Sequence, residues 1–92
     1  MKKITWNVEK EEVLSLDQSR GGITFEDCAE AIENGKVLDD IPNPSSKHQR
    51  QRLLILEINH YAYVVPYIES KDSIFLKTVY PSRKYTRVYF QR

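Results

Sequence analysis

The sequence predicts an α+β fold, with two N-terminal helices packed on an antiparallel sheet and a short C-terminal helix. Three observations carry this prediction. Phe25, Cys28, Ala29 and Ile32 recur at i, i+3, i+4 and i+7, the spacing of a helix with one apolar stripe. From Arg52 onward the apolar period falls from 3.6 to 2, as strands require. After a Pro81-Ser82 break, the closing RKYTRVYFQR puts Tyr85, Val88 and Tyr89 at i, i+3 and i+4, with Arg83 and Arg87 on the other side at i and i+4. At 92 residues there is room for one core, so residues 1–92 form a single domain.

Taken in order, Ile4–Trp6 is a short apolar start and a candidate edge strand. Asn7 can cap a first helix, whose opening turns hold Glu9, Glu11 and Glu12 where the helix dipole favours them. Val8, Val13, Leu14 and Leu16 give it a loose apolar side, and Gly21-Gly22 ends it. Thr24 caps the second helix, with Asp27 three residues on as an acidic capping box, and Gly35 sits just past its end. Val37-Leu38 adds a short extended piece before the Pro42-Asn43-Pro44-Ser45-Ser46 loop.

Arg52–Ile58 and Tyr61–Ile68 then read as strands around an Asn59-His60 turn. Pro66 marks an edge or a bulge, and Ile74–Tyr80 is the third strand of the meander. Alternation puts Ala62, Val64 and Ile68 on one side of the second strand and Tyr61, Tyr63, Val65 and Tyr67 on the other. With the helices over the aliphatic side, Tyr61, Tyr63, Tyr67, Phe75 and Lys77 would share an open face on which bases stack and phosphates dock.

Composition narrows the class. Apolar residues make up 40% and charged residues 29%, which is ordinary for a globular domain. No run approaches about 20 apolar residues, so no membrane span is expected. The MKK start lacks an apolar stretch behind it and there is one cysteine, so the expected location is the cytoplasm. Net charge is only +1, but its distribution is uneven: residues 7–40 are acidic, and 47–52 and 77–92 are basic. Such a split gives one positive face if it survives folding, or simply solvated helix surfaces if it does not.

His48, His60 and Cys28 form no metal-ligand spacing, and neither histidine sits in a nucleophile context, so no metal or cofactor is expected. Lys47, Arg50 and Arg52 are either a solvated run or phosphate contacts, with His48 able to titrate among them. Lys77, between Leu76 and Thr78, either protects a sheet edge or acts as a base whose neutral form is favoured by Arg83 and Arg87 nearby. Arg83, Lys84 and Arg87 are solvated helix charges or an anion site.

Three segments carry a family resemblance. Trp6-Asn7 with Lys10 is similar to the WD-x-x-K opening of BrnT-type toxins. Gly22-Ile23-Thr24-Phe25-Glu26 resembles their Gly, Val or Ile, Ser or Thr, Phe, Glu segment, and Pro81-Ser82-Arg83-Lys84 their terminal S-A-R-K stretch. These toxins belong to the RelE-like group of bacterial type II toxin–antitoxin systems. The resemblance implies a RelE-like fold and a metal-independent endoribonuclease that inhibits translation. It also implies mRNA, free or on the ribosome, as substrate and a cognate antitoxin protein as partner. Arg20-Gly21 stand where the family carries a histidine, and the KHQRQR region lacks the family's spacing to an acidic-x-Arg pair.

In such a reaction the RNA 2′-hydroxyl attacks the adjacent phosphorus. Lys77 is the candidate base and Arg83 and Arg87 the stabilisers, with Tyr63, Tyr67 or Tyr89 stacking a base or donating a proton. Lys47, Arg50, Arg52 and Lys84 complete the expected RNA contacts. The alternative is a non-catalytic RNA- or protein-binding module using the same basic-aromatic face.

Overall fold

A computed structural model of the chain describes residues 2–16, 22–45, 47 and 50–90, and over 13–16 the backbone alone. The elements run β1 (Lys3–Trp6), α1 (Val8–Leu16), α2 (Phe25–Glu33), β2 (Val37–Pro42), β3 (Arg52–Ile58), β4 (Tyr61–Glu69), β5 (Ser73–Leu76), β6 (Tyr80–Pro81) and α3 (Arg83–Phe90). The fold is α+β. Its sheet has the order β1-β5-β4-β3-β2, with β6 also paired to β4. β1 joins β5 in parallel, so the sheet is mixed where the sequence predicted an antiparallel one.

Local signals position the helices. Asn7 caps α1 by accepting from the Lys10 N–H at 3.2 Å. The Thr24 hydroxyl accepts from the Asp27 N–H and the Asp27 carboxylate from the Thr24 N–H, which completes the capping box of α2. Glu11 adds a third acceptor, taking the Phe25 N–H at 2.9 Å and tying α1 to the start of α2. Burial holds its carboxyl above the ordinary value. Past the end of α2, Gly35 takes φ +72°; its N–H reaches the Ile32 carbonyl and the Lys36 N–H the Ala31 carbonyl, a Schellman closure. Val8 is exposed, contrary to the predicted apolar side of α1. The rest of that side (Val13, Leu14, Leu16), with Gly21 and His48, lies outside the described residues and side chains.

Two cores lie on opposite faces of the sheet. On one, Phe25, Cys28 and Ala31 of α2 meet Leu54, Leu56, Tyr63, Val65, Tyr67, Leu76 and Val79. On the other, Tyr85 and Tyr89 of α3 pack over Leu53, Ile55, Ala62 and Val64. The helices therefore flank the sheet rather than sharing one side. The tyrosine face that alternation left open is the one α2 covers: Tyr67 is 3% exposed and Tyr63 7%. A tyrosine ring buries more apolar area than an alanine or valine side chain, and the aromatic face is taken by α2, the helix that buries Phe25, Cys28 and Ala31.

The third strand of the meander also departs from expectation. β5 ends at Leu76, and pairing resumes at Tyr80. Leu76 stands opposite Tyr67 and Tyr80 opposite Val64, so one strand advances four residues while β4 advances three. The extra residue is a β-bulge, and it lets Leu76 and Val79, three apart, both enter the α2-side core. Pro66 explains its place. Its carbonyl accepts from the Lys77 N–H at 2.8 Å, so the residue without a donor faces the interrupted stretch of ladder. The Asn59-His60 turn is present with φ of 54° and 60°, as a two-residue hairpin turn demands even without glycine.

Candidate nucleic-acid interface

The cations of α3 stand on a helix fastened at both ends. At its start the Ser82 hydroxyl accepts from the Tyr85 N–H at 3.1 Å, an N-cap. The Ser82 N–H donates to the Ala62 carbonyl at 2.9 Å, extending the β6–β4 pairing by one residue. Thr86, buried one turn later, donates its hydroxyl to the Ser82 carbonyl at 2.7 Å and accepts from the Ala62 N–H at 2.9 Å. At the far end the Tyr89 hydroxyl donates to Asp39 Oδ2 at 2.6 Å. With Tyr85, Thr86 and Tyr89 turned to the sheet, Arg83, Lys84 and Arg87 face solvent. Among the described residues, none of the three has a carboxylate within ion-pair distance. The Lys84 Nζ lies 5.3 Å from the Tyr85 ring centroid.

Lys77 is half-buried, with its Nζ 5.4 Å from the Phe75 ring centroid. It does not join α3 at a single point. Lys77 lies at the level of Pro66 on β4 and Ser82 at the level of Ala62. Four strand residues separate those levels by roughly 13 Å. The expected sharp return of the helix beside Lys77 assumed an uninterrupted strand to Tyr80. The bulge and β6 instead carry the chain along β4 before α3 begins.

The remaining candidates divide by their partners. Arg52 donates from Nε to Asp40 Oδ1 at 3.0 Å and from its terminal nitrogen to the Asp40 carbonyl at 3.0 Å, which raises its pKa. Tyr67 donates to the same carboxylate, 2.9 Å from Oδ1 and 2.8 Å from Oδ2. Burial first, and then the Asp40 bond, push its hydroxyl up to about 12. The Asp39 bond does the same to Tyr89, also to about 12, and holds Asp39 below the ordinary carboxylate value. Tyr63 is buried beside Tyr61, with ring centroids 5.8 Å apart. Tyr63 and Tyr67 are thus core residues rather than stacking platforms, and Tyr89 braces α3. Lys47 and Arg50 are exposed in the loop before β3.

Sequence reasoning passed over Asp39, Asp40, Thr86 and Tyr80. Asp39 and Asp40 had only been counted as acidic charge, although an Asp-Asp pair in a strand must send its carboxylates to opposite faces. Among the described residues no group of His, Cys, Asp and Glu is placed to hold a metal ion, and no helix is long and apolar enough to cross a membrane. An open depression of about 240 Å³ lies beside α2, with Asp27, Glu30, Lys36 and Glu57 among the residues that line it. Its carboxylates suit no polyanion, so the cationic surface of α3 is the stronger candidate site.

Comparison with protein-family models, curated proteins and solved structures finds no match.

Proposed function

We propose that the chain is the toxin of a bacterial type II toxin–antitoxin system, of the BrnT type within the RelE-like group. In this reading it is a cytoplasmic, metal-independent endoribonuclease that blocks translation by cutting mRNA, and a cognate antitoxin protein neutralises it. The observation that carries the reading is the surface of α3, where Arg83, Lys84 and Arg87 stand exposed on a helix pinned by Thr86 and Tyr89. Exposed cations on an anchored helix, with no carboxylate within ion-pair distance among the described residues, suit a phosphodiester, whose charge grows as the 2′-hydroxyl attacks. The α+β class is compatible with that reading, whereas the mixed sheet, with β1 first and parallel to β5, departs from the antiparallel sheet it implies.

In the reaction the 2′-oxygen attacks phosphorus and gives its proton to solvent, and the 5′-oxygen leaves with a proton from solvent. Arg83 and Arg87 stabilise the pentacoordinate phosphorus, while Lys77, roughly 13 Å along β4 from the start of α3, holds a neighbouring phosphate. The distance between Lys77 and the start of α3 also favours a second reading. A binding module that holds successive phosphates has no need to bring the three cations to one point. The test is to incubate the purified protein with translating ribosomes and with naked RNA, in the presence of a chelator. New ends bearing a cyclic phosphate support the nuclease. Retention of RNA without new ends supports the module, and neither result refutes both.

A further inference from the structure

α3 covers only part of its face of the sheet, over β4, β3 and β2. Beyond it the same face continues onto β5 and β1. There the register places Phe75 beside Ile68 on β4 and Thr5 on β1, with Lys3 two residues before Thr5. The opposite side of these strands supplies Ile4, Trp6, Ile74 and Leu76 to the α2-side core, which fixes the outward set. Lys77 follows with its ammonium over the Phe75 ring. Tyr80, paired with Val64, comes next and is 39% exposed. Tyr85 with Lys84 over its ring lies alongside, close enough that it adds to the raised pKa of Tyr80 behind the larger effect of burial. Rings and cations are therefore interspersed along this strip, and none of the residues named on it is acidic.

We propose that this strip is the path of a single-stranded RNA. Phe75 and Tyr80 are its base-stacking platforms, and Lys77 and Lys84 its backbone contacts. The proposal rests on the reading of the chain as an RNA-acting protein and names the form of RNA it takes. Phe75 and Tyr80 stand opposite Ile68 and Val64, four β4 residues apart. That spacing of roughly 13 Å is well beyond the rise of about 3.4 Å between stacked bases, so the rings hold bases unstacked from each other. A duplex keeps its base faces covered and gains nothing from either ring, whereas a single strand offers a face at every nucleotide.

The test uses a short fluorescent oligoadenylate with 2′-O-methyl sugars, which 2′-hydroxyl attack cannot cleave, free and annealed to its complement. The free strand is expected to bind more tightly than the duplex. Phe75→Leu and Tyr80→Leu should each weaken it by about 5- to 100-fold with the salt dependence unchanged. Phe75→Tyr should retain binding, and Lys77→Gln should lower the slope of log affinity against log salt by about 0.7. Circular dichroism checks each fold, and Tyr80→Leu decides the matter if Phe75→Leu does not fold. Equal binding of strand and duplex, or wild-type binding by folded ring variants, overturns the proposal. If the probe binds as expected but the protein cuts no RNA, the nuclease reading fails alone. If the protein cuts RNA and the ring variants bind like wild type, this proposal fails alone.

Discussion

The Tyr89 hydroxyl donates a 2.6 Å hydrogen bond to Asp39 Oδ2, joining the last turns of α3 to β2. Asp40, one residue on, faces the other side of the sheet and receives Tyr67 and Arg52. Two consecutive carboxylates thus anchor elements on both faces, and α3 owes its position to side chains at each of its ends.

Tyr89→Phe keeps the ring that packs over the sheet and removes only the bond to Asp39. It should lower the urea midpoint slightly, because Asp39 is exposed and water replaces the lost bond in part. Amides of α3 should exchange faster while those of β3 and β4 keep their protection. Unchanged exchange in α3 would show that Ser82 and Thr86 alone hold the helix.

The start of α1, both ends of α2 and the hairpin turn were legible in the sequence because they depend on neighbours. Thr24, Asp27 and Gly35 do their work within a few residues of themselves. What could not be read was long-range. Nothing local says that β1 adds in parallel beside β5, or that the rings of Tyr63 and Tyr67 go under α2. The bulge after Leu76 had one local sign, Pro66, but its partner strand had to be known before that sign could be placed. The misread strand then displaced the site, since Lys77 and Arg83 meet only if the chain runs straight to Tyr80 and turns back. Asp39–Tyr89 and Asp40–Tyr67 are pairings across the fold with no sequence signature at all.

Thr86→Val is nearly isosteric and leaves the Ala62 N–H, buried in the sheet, without its acceptor. The expected cost is about 1–3 kcal/mol. Thr86→Ser keeps the hydroxyl and should lose only the buried methyl, about 0.8 kcal/mol. Equal losses for the two variants would mean that packing, not the hydrogen bond, makes Thr86 matter.

Alkaline stability should respond to Tyr67 and Tyr89. Each hydroxyl is raised from the ordinary value of 10.0 to about 12 in the folded protein. The unfolded chain therefore releases protons that the native state still holds, and stability falls as pH rises. The contribution is complete below about pH 10 and lost by about pH 12. Urea midpoints measured across that window should fall less steeply for Tyr67→Phe and Tyr89→Phe than for the parent. Parallel profiles would show that both hydroxyls titrate alike in the folded and unfolded chains.

Arg83→Ala and Arg87→Ala should each slow RNA cleavage by about 30- to 1000-fold, the loss of one transition-state contact. Lys47 and Arg50 lie in a different part of the chain, exposed before β3. Replacing them should mainly weaken binding and lower its salt dependence. Lys77 separates two geometries. If it shares a phosphate with Arg83, the double variant Lys77→Ala, Arg83→Ala should be little worse than the stronger single one, since either loss disables the same step. If the rough 13 Å along β4 puts them on different phosphates, the two effects should multiply. The structure favours multiplication, because β6 lies between Lys77 and the first turn of α3. Cleavage rates of the two singles and the double, with circular dichroism for folding, decide it; a double equal to the worse single would return all three cations to one site.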